Sequence, residues 1–571
     1  MNRKNDPSSI TVVLNDRSFE YDVYTLVIAF YQGIPVQVED PVLGAKSSDG
    51  PDGQAGADQN SPDGQAGAGR NNPDGSTEID EKKLLISVHI DKKRTDIKAG
   101  RLESSREAPS QDRMDVKNAL KGCLYELLSR LTGRFLPWGN LTGIRPVKLA
   151  TGFLLKEEQA PEESLSLREE QTPAGSPSGR EEQARGESFT AREDLVRRTA
   201  ADMQKAYYVS DAKADLAARI ALREQKILRQ IHPETGYSLY IGIPFCPSIC
   251  LYCSFSSGTI GVWQKEADRY VDTLIKEIRA CGRAAERPCF PGRKLTTVYI
   301  GGGTPTTLSA AQLERLFSAL EENFDMDSVL EFTVEAGRPD TISEDKLRVM
   351  KRHRVSRISI NPQTMNQKTL DLIGRKHTVS ETVNAFRMAR DLGFDNINMD
   401  LIVGLPGEGL PEVDATMNAL EKLGPDDITV HALALKRAAR LALRMDEYEA
   451  ISFQASDAIM ERTQETCRAL GMTPYYLYRQ KNMAGNFENV GCAKEGKAGL
   501  YNILIMEEVQ SILALGASGS TKVILPGGRI ERIENVKDVR SYLDRIDEMI
   551  ARKDMIRRSG PFSRFFHING V

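Results

Sequence analysis

From residue 236 onward the chain alternates short apolar runs with longer amphipathic segments. Runs rich in β-branched residues predict strands, and apolar residues spaced three and four apart predict helices. The predicted strands are 238–243, 296–300, 330–334, 356–360, 396–403 and 426–435. The predicted helices lie near 263–282, 309–323, 343–352, 366–374, 379–391 and 410–422. This order predicts an α/β fold with parallel strands and right-handed crossovers, and six units leave a partial barrel or an open sheet as alternatives.

The N-terminal part has a different pattern. Strands are predicted at 10–15 and 84–90 and a helix at 115–131, which together indicate a small α+β domain. The predicted domains are an N-terminal α+β domain (1–150), a linker that becomes helical (151–235), the barrel (236–440) and a C-terminal cover of mixed or helical structure (441–571).

Two polar segments interrupt these domains. Residues 46–76 contain no large aliphatic or aromatic side chain and carry an 11-residue repeat that begins at Pro51. Residues 157–192 carry a 12-residue repeat that begins at Glu157. Periods this short and polar cannot bury a repeat-protein core, so both segments are predicted to be disordered insertions.

Composition narrows the class of protein. The 571 residues include 76 Lys and Arg against 80 Asp and Glu, a net charge of −4, which gives no basic excess for binding nucleic acid. The polar N-terminus resembles no secretory signal, and no apolar run reaches the roughly 18–20 residues of a membrane span. We therefore expect a cytoplasmic protein without a membrane span, in which clustered cysteines indicate metal or redox chemistry.

One cysteine loop follows the first predicted barrel strand. Cys246, Cys250 and Cys253 have the spacing C-x3-C-x2-C, which allows three thiolates to bind three irons of a [4Fe–4S] cube and leaves the fourth iron open. Zinc favours four ligands or a three-ligand set that often includes His, and this loop has no His. A structural zinc site remains the alternative at this point.

Other polar and glycine residues follow the later strands. The sequence GGGTP at 301–305 allows close approach of backbone amides to a ligand. Glu335, Gln363 and Asp400 lie at or near strand ends, and Arg375 follows a short helix after Gln363. Because the carboxyl ends of parallel strands share one rim, these residues predict a polar ligand cage there.

These motifs resemble the radical S-adenosylmethionine (SAM) enzymes, and within them the HemZ-like branch of the oxygen-independent coproporphyrinogen III oxidase (dehydrogenase) family. The resemblance covers about residues 236–525 and implies a partial (β/α)6 barrel, a [4Fe–4S] cluster on the three cysteines, and SAM. It places Tyr240 beside one SAM molecule and Tyr252 beside a second, both as catalytic candidates. The remaining SAM-binding positions that it implies are Gly302, Gly303, Thr304, Glu335, Gln363, Arg375, Asp400 and Ala434.

The resemblance also implies a reaction. Reductive cleavage of SAM would give a 5′-deoxyadenosyl radical that abstracts hydrogen from a propionate of coproporphyrinogen III. Loss of an electron and CO2 then leaves a vinyl group, and two such events give protoporphyrinogen IX. The implied electron donor is a flavodoxin or ferredoxin, and the implied state is a monomer. Lys436, Arg437 and Arg440 are candidate cations for the anionic substrate.

The chain departs from the family pattern at two positions. Gly242 replaces a His of the cluster motif, and Phe255 stands where true oxidases carry a fourth cysteine. The second departure is shared with haem-binding relatives, although the H-N-x-x-Y-W segment of the haem-chaperone branch is missing. The alternative is therefore a haem-binding or haem-trafficking protein without turnover.

Overall fold

The computed structural model describes residues 6–31, 33–41, 83–143, 145–159, 180–255, 258–282, 288–434, 441, 456–480 and 487–559. The predicted insertion 46–76 and the candidate cations Lys436, Arg437 and Arg440 lie outside these residues. The chain forms two compact units, residues 1–142 and residues 143–571.

The first unit is a five-stranded sheet with helices. Its elements are β1 (Ser9–Leu14), α1 (Glu20–Phe30), β2 (Val36–Glu39), β3 (Lys83–Asp91), β4 (Arg94–Ala99), β5 (Leu102–Glu107) and α2 (Arg113–Thr132). The strand order in the described part is β2-β1-β3-β4-β5. Alternate residues of β1 are buried, which is the period expected of a strand with one covered face.

Three helices open the second unit: α3 (Pro146–Gln159), α4 (Arg180–Tyr207) and α5 (Asp211–Ile231). The first two overlap the segment 157–192, so the prediction of disorder is wrong for 157–159 and 180–192. The reason is local composition, because Glu, Gln, Ala and Arg have high helix propensities even where no apolar stripe exists. Residues 160–179 lie outside the described part.

The barrel follows as six strands and their helices. Its elements are β6 (Gly236–Ile243), α6 (Ala267–Cys281), β7 (Lys294–Gly302), α7 (Ala310–Asn323), β8 (Glu331–Glu335), α8 (Glu344–Arg352), β9 (Arg357–Ser359), α9 (Gln367–Leu372), α10 (Val379–Asp391), β10 (Ile397–Val403), α11 (Leu410–Leu423) and β11 (Asp427–Ala432). These six strands are parallel neighbours in sequence order. The predicted parallel α/β fold is confirmed.

The remaining elements extend both sides of this sheet. They are α12 (Asp457–Ala469), β12 (Thr473–Tyr478), β13 (Asn489–Ala493), α13 (Leu500–Glu507), β14 (Ser511–Leu515), β15 (Ser520–Ile524), β16 (Ile530–Glu534), α14 (Val539–Asp544), α15 (Ile546–Arg552) and α16 (Asp554–Ser559). In the described residues, β13 pairs antiparallel with β11, and β14 pairs parallel with β6. Because β6 and β11 pair with these strands instead of each other, the barrel is partial.

None of the helices in the described residues has the length and apolar character needed to cross a membrane.

Candidate active site

A cavity of about 500 Å³ lies at the carboxyl ends of the barrel strands. The structure brings together around it all the residues that the sequence nominates for the cluster and for SAM. They are Tyr240, Cys246, Cys250, Tyr252, Cys253, Gly302, Gly303, Thr304, Glu335, Gln363, Arg375, Asp400 and Ala434. The common location follows from the topology, because each loop leaves the same rim of the sheet.

The cysteine loop is tied to the barrel by main-chain hydrogen bonds. The amide of Gly258 donates to the carbonyl of Pro244 at 2.8 Å, and the amide of Leu251 donates to that of Ile373 at 2.9 Å. The second bond joins the middle of the loop to the end of the short helix that follows Gln363. The loop is therefore held at its base and at its centre before any metal binds.

The three thiols line one cavity but do not form a single-ion site. None of the eight cysteines forms a disulfide, and no three His, Cys, Asp or Glu side chains of the described residues converge closely enough to hold one metal ion. A [4Fe–4S] cluster makes a different demand, because each cysteine binds a separate iron of the cube. Three cysteines that line one cavity can therefore serve as the ligands of such a cluster.

The glycine-rich turn after β7 lies directly against the start of this loop. Amides of Gly303 and Thr304 donate to the carbonyls of Ile243 and Phe245 at 2.7 and 2.6 Å. A Cβ on Gly303 would lie 2.5 Å from the Phe245 carbonyl oxygen, so only glycine fits there. The Thr304 hydroxyl is 3.5 Å from the sulfur of Cys246. The turn therefore packs closely against the start of the cysteine loop, and Gly302, Gly303 and Thr304 all line the cavity.

Glu335 ends β8 inside the cavity and is held by two donors. Its carboxyl accepts a hydrogen bond from the Tyr299 hydroxyl and one from the backbone amide of Gly302. Burial raises the pKa of Glu335 to about 7, and the nearby charge of Asp400 acts in the same direction. In the protein without a bound ligand, about half of the Glu335 carboxyls are therefore ionised near neutral pH.

Tyrosine rings form one wall beside Glu335. The rings of Tyr299 and Tyr501 stack with centroids 4.5 Å apart, and Tyr240 stacks 6.2 Å from Tyr299. Burial raises the pKa of Tyr240, so its hydroxyl stays protonated at neutral pH. The wall supplies apolar ring faces and neutral hydroxyl groups. Tyr299 and Tyr501 were not predicted from the sequence.

Gln363 and Arg375 line the cavity, and each has a buried polar atom. The backbone of Gln363 bonds to Asp400 and Ile402 on β10, at 3.0 and 2.9 Å. Within the described residues, Oε1 of Gln363 and Nε of Arg375 are buried without a hydrogen-bond partner. An unpaired buried polar atom costs about 1–3 kcal/mol, which a ligand with complementary groups recovers.

Asp400 lines the same cavity and is ionised at neutral pH. Its Oδ1 accepts a hydrogen bond from the side-chain amide of Asn398 at 2.7 Å, and His431 Nε2 lies 3.8 Å from its Oδ2. Burial alone would raise the pKa of Asp400, but His431 and Asn398 lower it below the ordinary value. His431 in turn meets the Tyr478 hydroxyl at 3.3 Å through Nδ1. His431 and Tyr478 also line the cavity and were not predicted.

Arg357 and Asp427 form an ion pair that is buried in the barrel interior. Arg357 Nη2 donates to Asp427 Oδ2 at 2.6 Å, and both side chains are at most 1% exposed. The Tyr475 hydroxyl donates to the same oxygen at 2.8 Å. Burial raises the pKa of Asp427 to about 6, although Arg357 opposes the shift. The pair is part of the barrel interior, and only Arg357 of the two lines the cavity.

A sequence signal for the missed residues exists. Barrel strands carry polar or tyrosine residues at alternate positions, as in Thr297 and Tyr299 on β7 or Asn398 and Asp400 on β10. Since alternate side chains of a strand share one face, this period of two marks the inward face of the barrel.

The donor set fits the cofactors that the sequence implies. Fixed carboxyls on Glu335 and Asp400 can accept hydrogen bonds from ammonium and hydroxyl groups. Gly302 and Gly303 line the cavity, and the buried unpaired atoms of Gln363 and Arg375 need polar partners. SAM offers ammonium, carboxylate and hydroxyl groups together.

Comparison with known proteins agrees with this geometry. Residues 240–420 match the family model of the Radical SAM superfamily, which defines the class of protein. The chain is 37% identical over 444 residues to the oxygen-independent coproporphyrinogen-III oxidase-like protein HemZ of Bacillus subtilis, covering 77% of this chain and 80% of that protein. The chain therefore belongs to the HemZ-like branch of the radical SAM oxygen-independent coproporphyrinogen III oxidase family.

Two further proteins are similar to this chain. The heme chaperone HemW of Bacillus subtilis is 32% identical over 321 residues, covering 54% of this chain and 76% of the relative. Among solved structures, the coproporphyrinogen III oxidase HemN of Escherichia coli matches with a TM-score of 0.44 and 24% identity, over 57% of this chain and 73% of that one.

The cofactors follow from the family. Radical SAM proteins bind a [4Fe–4S] cluster and SAM, and these are the cofactors of this chain. This assignment decides against the structural zinc alternative for the cysteine loop.

Proposed function

We propose that this protein is an oxygen-independent coproporphyrinogen III dehydrogenase. It would convert two propionates of coproporphyrinogen III to vinyl groups by oxidative decarboxylation and so give protoporphyrinogen IX. The observation that carries the proposal is that the three loop cysteines and the nominated SAM-binding residues line one cavity at the carboxyl rim of the barrel. The relation to HemZ supports the choice of substrate.

The residues divide into two sets. Cys246, Cys250 and Cys253 would bind three irons of the cluster. The backbone of 302–304 and the side chains of Glu335, Gln363, Arg375 and Asp400 would hold SAM. When bound, the cluster and SAM together supply an organic radical that can abstract hydrogen from an unactivated carbon.

The protein's own part is positioning and shielding. Tyr299 and the Gly302 amide fix the carboxyl of Glu335, which would accept a hydrogen bond from the ammonium group of SAM. An ionised Asp400 would accept from hydroxyl groups. The stacked rings of Tyr240, Tyr299 and Tyr501 exclude water from one side of the cavity. Such fixed groups lower the cost of orienting reactants.

The wider setting is part of the same proposal. The substrate carries four carboxylates, and Lys436, Arg437 and Arg440 are the proposed cations for them. We propose a monomer in the cytoplasm that receives electrons from a flavodoxin or ferredoxin. None of the eight cysteines is in a disulfide, which agrees with a reducing compartment.

A second function is supported by one residue. Phe255 occupies the position of a fourth cysteine, and its side chain is 70% exposed. The alternative that follows is a protein that binds or delivers haem and keeps the cluster without turning over coproporphyrinogen III. The relation to HemW agrees with this alternative.

The decisive experiment is anaerobic. Reconstituted protein, SAM, a reductant and coproporphyrinogen III are incubated, and the tetrapyrroles are separated by chromatography. Vinyl-bearing products support the dehydrogenase. Cleavage of SAM without such products rejects this substrate and keeps the radical chemistry. Stoichiometric haem binding without substrate-dependent deoxyadenosine supports the alternative.

The cluster ligands have their own test. Cys250→Ala should abolish the brown charge-transfer absorbance and reduce the bound iron and sulfide. Cys123→Ala is the matched control, because Cys123 is a buried thiol of the N-terminal unit. A full cluster in Cys250→Ala would refute the ligand assignment.

A further inference from the structure

One buried guanidinium lies directly behind the cysteine loop. Arg338 follows Glu335 by three residues, and its side chain is only 4% exposed. Its Nη1 is 3.8 Å from the sulfur of Cys250. An N–H donor at that distance is within hydrogen-bonding range of sulfur, and Arg is positively charged at every working pH.

The same guanidinium holds a second residue of the loop. Nη1 donates to the carbonyl and hydroxyl oxygens of Ser248 at 3.3 and 3.2 Å, and Nη2 donates to that hydroxyl at 3.1 Å. Ser248 lies two residues before Cys250. Arg338 therefore fixes the stretch between the first two cysteines.

The position of Arg338 is itself fixed from several sides. Asp340 accepts from Nε and Nη2, both at 3.1 Å, and orients the planar fork. The Arg338 carbonyl accepts from the Thr341 amide and hydroxyl at 3.0 and 2.7 Å. The preceding carbonyl, of Gly337, accepts from Arg375 at 2.7 Å. The donor is thus preorganised toward the loop.

We propose that Arg338 is a positioning residue that also raises the reduction potential of the cluster, by donating to the Cys250 thiolate. The inference rests on the assignment of Cys250 as a cluster ligand made above. Hydrogen bonds to the sulfurs and the local charge are among the factors that set the potential of an iron–sulfur cluster. A buried cation favours the reduced state because that state carries one more negative charge.

The redox step involved is simple. In the test, dithionite donates one electron to the oxidised cluster, which becomes more negative by one charge. No bond of the protein forms or breaks.

The test compares potentials of reconstituted variants by titration with dithionite, followed by absorbance and by electron paramagnetic resonance of the reduced cluster. Arg338→Gln should make reduction at least tenfold less favourable, which is about 59 mV lower for a one-electron couple. Arg338→Lys keeps the charge and should shift the potential in the same direction by less. Ser248→Ala removes one acceptor but no charge, and should leave the potential unchanged.

A variant that should shift the reduction potential in the opposite direction distinguishes an electrostatic effect of Arg338 from simple loosening of the loop. Asp340→Asn removes a negative charge that partly neutralises Arg338, so it should raise the potential. If Arg338 only holds the loop in place, Arg338→Gln and Asp340→Asn should not shift the reduction potential in opposite directions.

Each outcome decides something. An unchanged potential in Arg338→Gln with full iron and sulfide overturns the inference, and so does a shift of equal sign in Asp340→Asn. If Arg338→Gln holds no cluster, Arg338→Lys and Asp340→Asn decide the question. The inference is then overturned if these two variants do not shift the reduction potential in opposite directions. Retention of the cluster in Cys250→Ala would remove the premise instead.

Discussion

The guanidinium of Arg375 donates to the phenol oxygen of Tyr252 at 3.1 Å. Its other terminal nitrogen donates to the carbonyls of Gly337 and Asn361, each at 2.7 Å. One side chain thereby joins the cysteine loop to the segments that follow β8 and β9. Arg375 and the loop that carries the cluster cysteines are consequently parts of one hydrogen-bonded framework.

This framework gives a first prediction. Tyr252→Phe removes one hydrogen bond but keeps the ring, so it should lower the free energy of unfolding by about 1 kcal/mol. Tyr252→Ala also removes a ring that packs against a group of buried hydrophobic residues that includes Leu251 and Leu370, and should lower the free energy of unfolding by about 3–5 kcal/mol. Chemical denaturation of the metal-free protein measures both. Equal losses in the two variants would mean that the ring contributes nothing.

The raised pKa of Glu335 predicts a pH dependence of stability. The folded value of about 7 exceeds the unfolded value of 4.5, so the folded state binds more protons between them. Stability from this group is complete below about pH 4.5 and is lost as the pH rises to about 7, by on the order of 3 kcal/mol at most. Glu335→Gln cannot ionise and should show a smaller fall over this range. Denaturation of SAM-free protein at several pH values measures the difference, and identical pH profiles would contradict it.

The turn after β7 gives a steric prediction. Gly303→Ala places a methyl group 2.5 Å from the Phe245 carbonyl oxygen, so the turn must move and SAM binding should weaken by at least tenfold. Gly152→Ala is the matched control, because Gly152 lies in helix α3 with open space around it. That control should be neutral or stabilising by about 0.5–1 kcal/mol. Isothermal titration with SAM measures the first effect, and unchanged affinity in Gly303→Ala would exclude close contact there.

The buried ion pair predicts a loss that depends on pH. Arg357→Gln leaves Asp427 buried without its cation and should cost about 3–5 kcal/mol at about pH 8. The loss should be smaller at about pH 5, because Asp427, whose pKa is already raised to about 6, can then bind a proton. Arg348→Gln breaks an exposed pair with Glu344 and should cost less than about 0.5 kcal/mol. Equal losses in the Arg357 and Arg348 variants would show that burial does not matter.

The barrel was predictable because its strands are fully buried. Five of the eight residues of the run 396–403 are apolar, and Gly and Pro occur in the loop that follows it. These signals are local, so the parallel α/β fold could be inferred from the chain alone. The common rim then brought Glu335, Gln363 and Asp400 together without any knowledge of contacts.

Other features depend on contacts between distant parts of the chain. Strands β12 to β16 exist because they complete the edges of the barrel sheet, and their short sequences show no distinct period. Tyr501 reaches the cavity only because α13 packs beside β7, which no local pattern reveals. Arg338 lies in a loop, where a single charged residue is ordinarily a solvated one.

Gly242, one of the two positions at which the chain departs from the family pattern, has a consequence for exchanging parts between relatives. A Cβ there would lie 3.0 Å from the carbonyl oxygen of Ala517, in the segment after β14. A His at this position therefore requires the backbone near Ala517 to move by a few tenths of an ångström. In a chimaera that joins this barrel to the C-terminal part of a relative, we expect position 242 and residues 515–517 to work best when they come from the same protein.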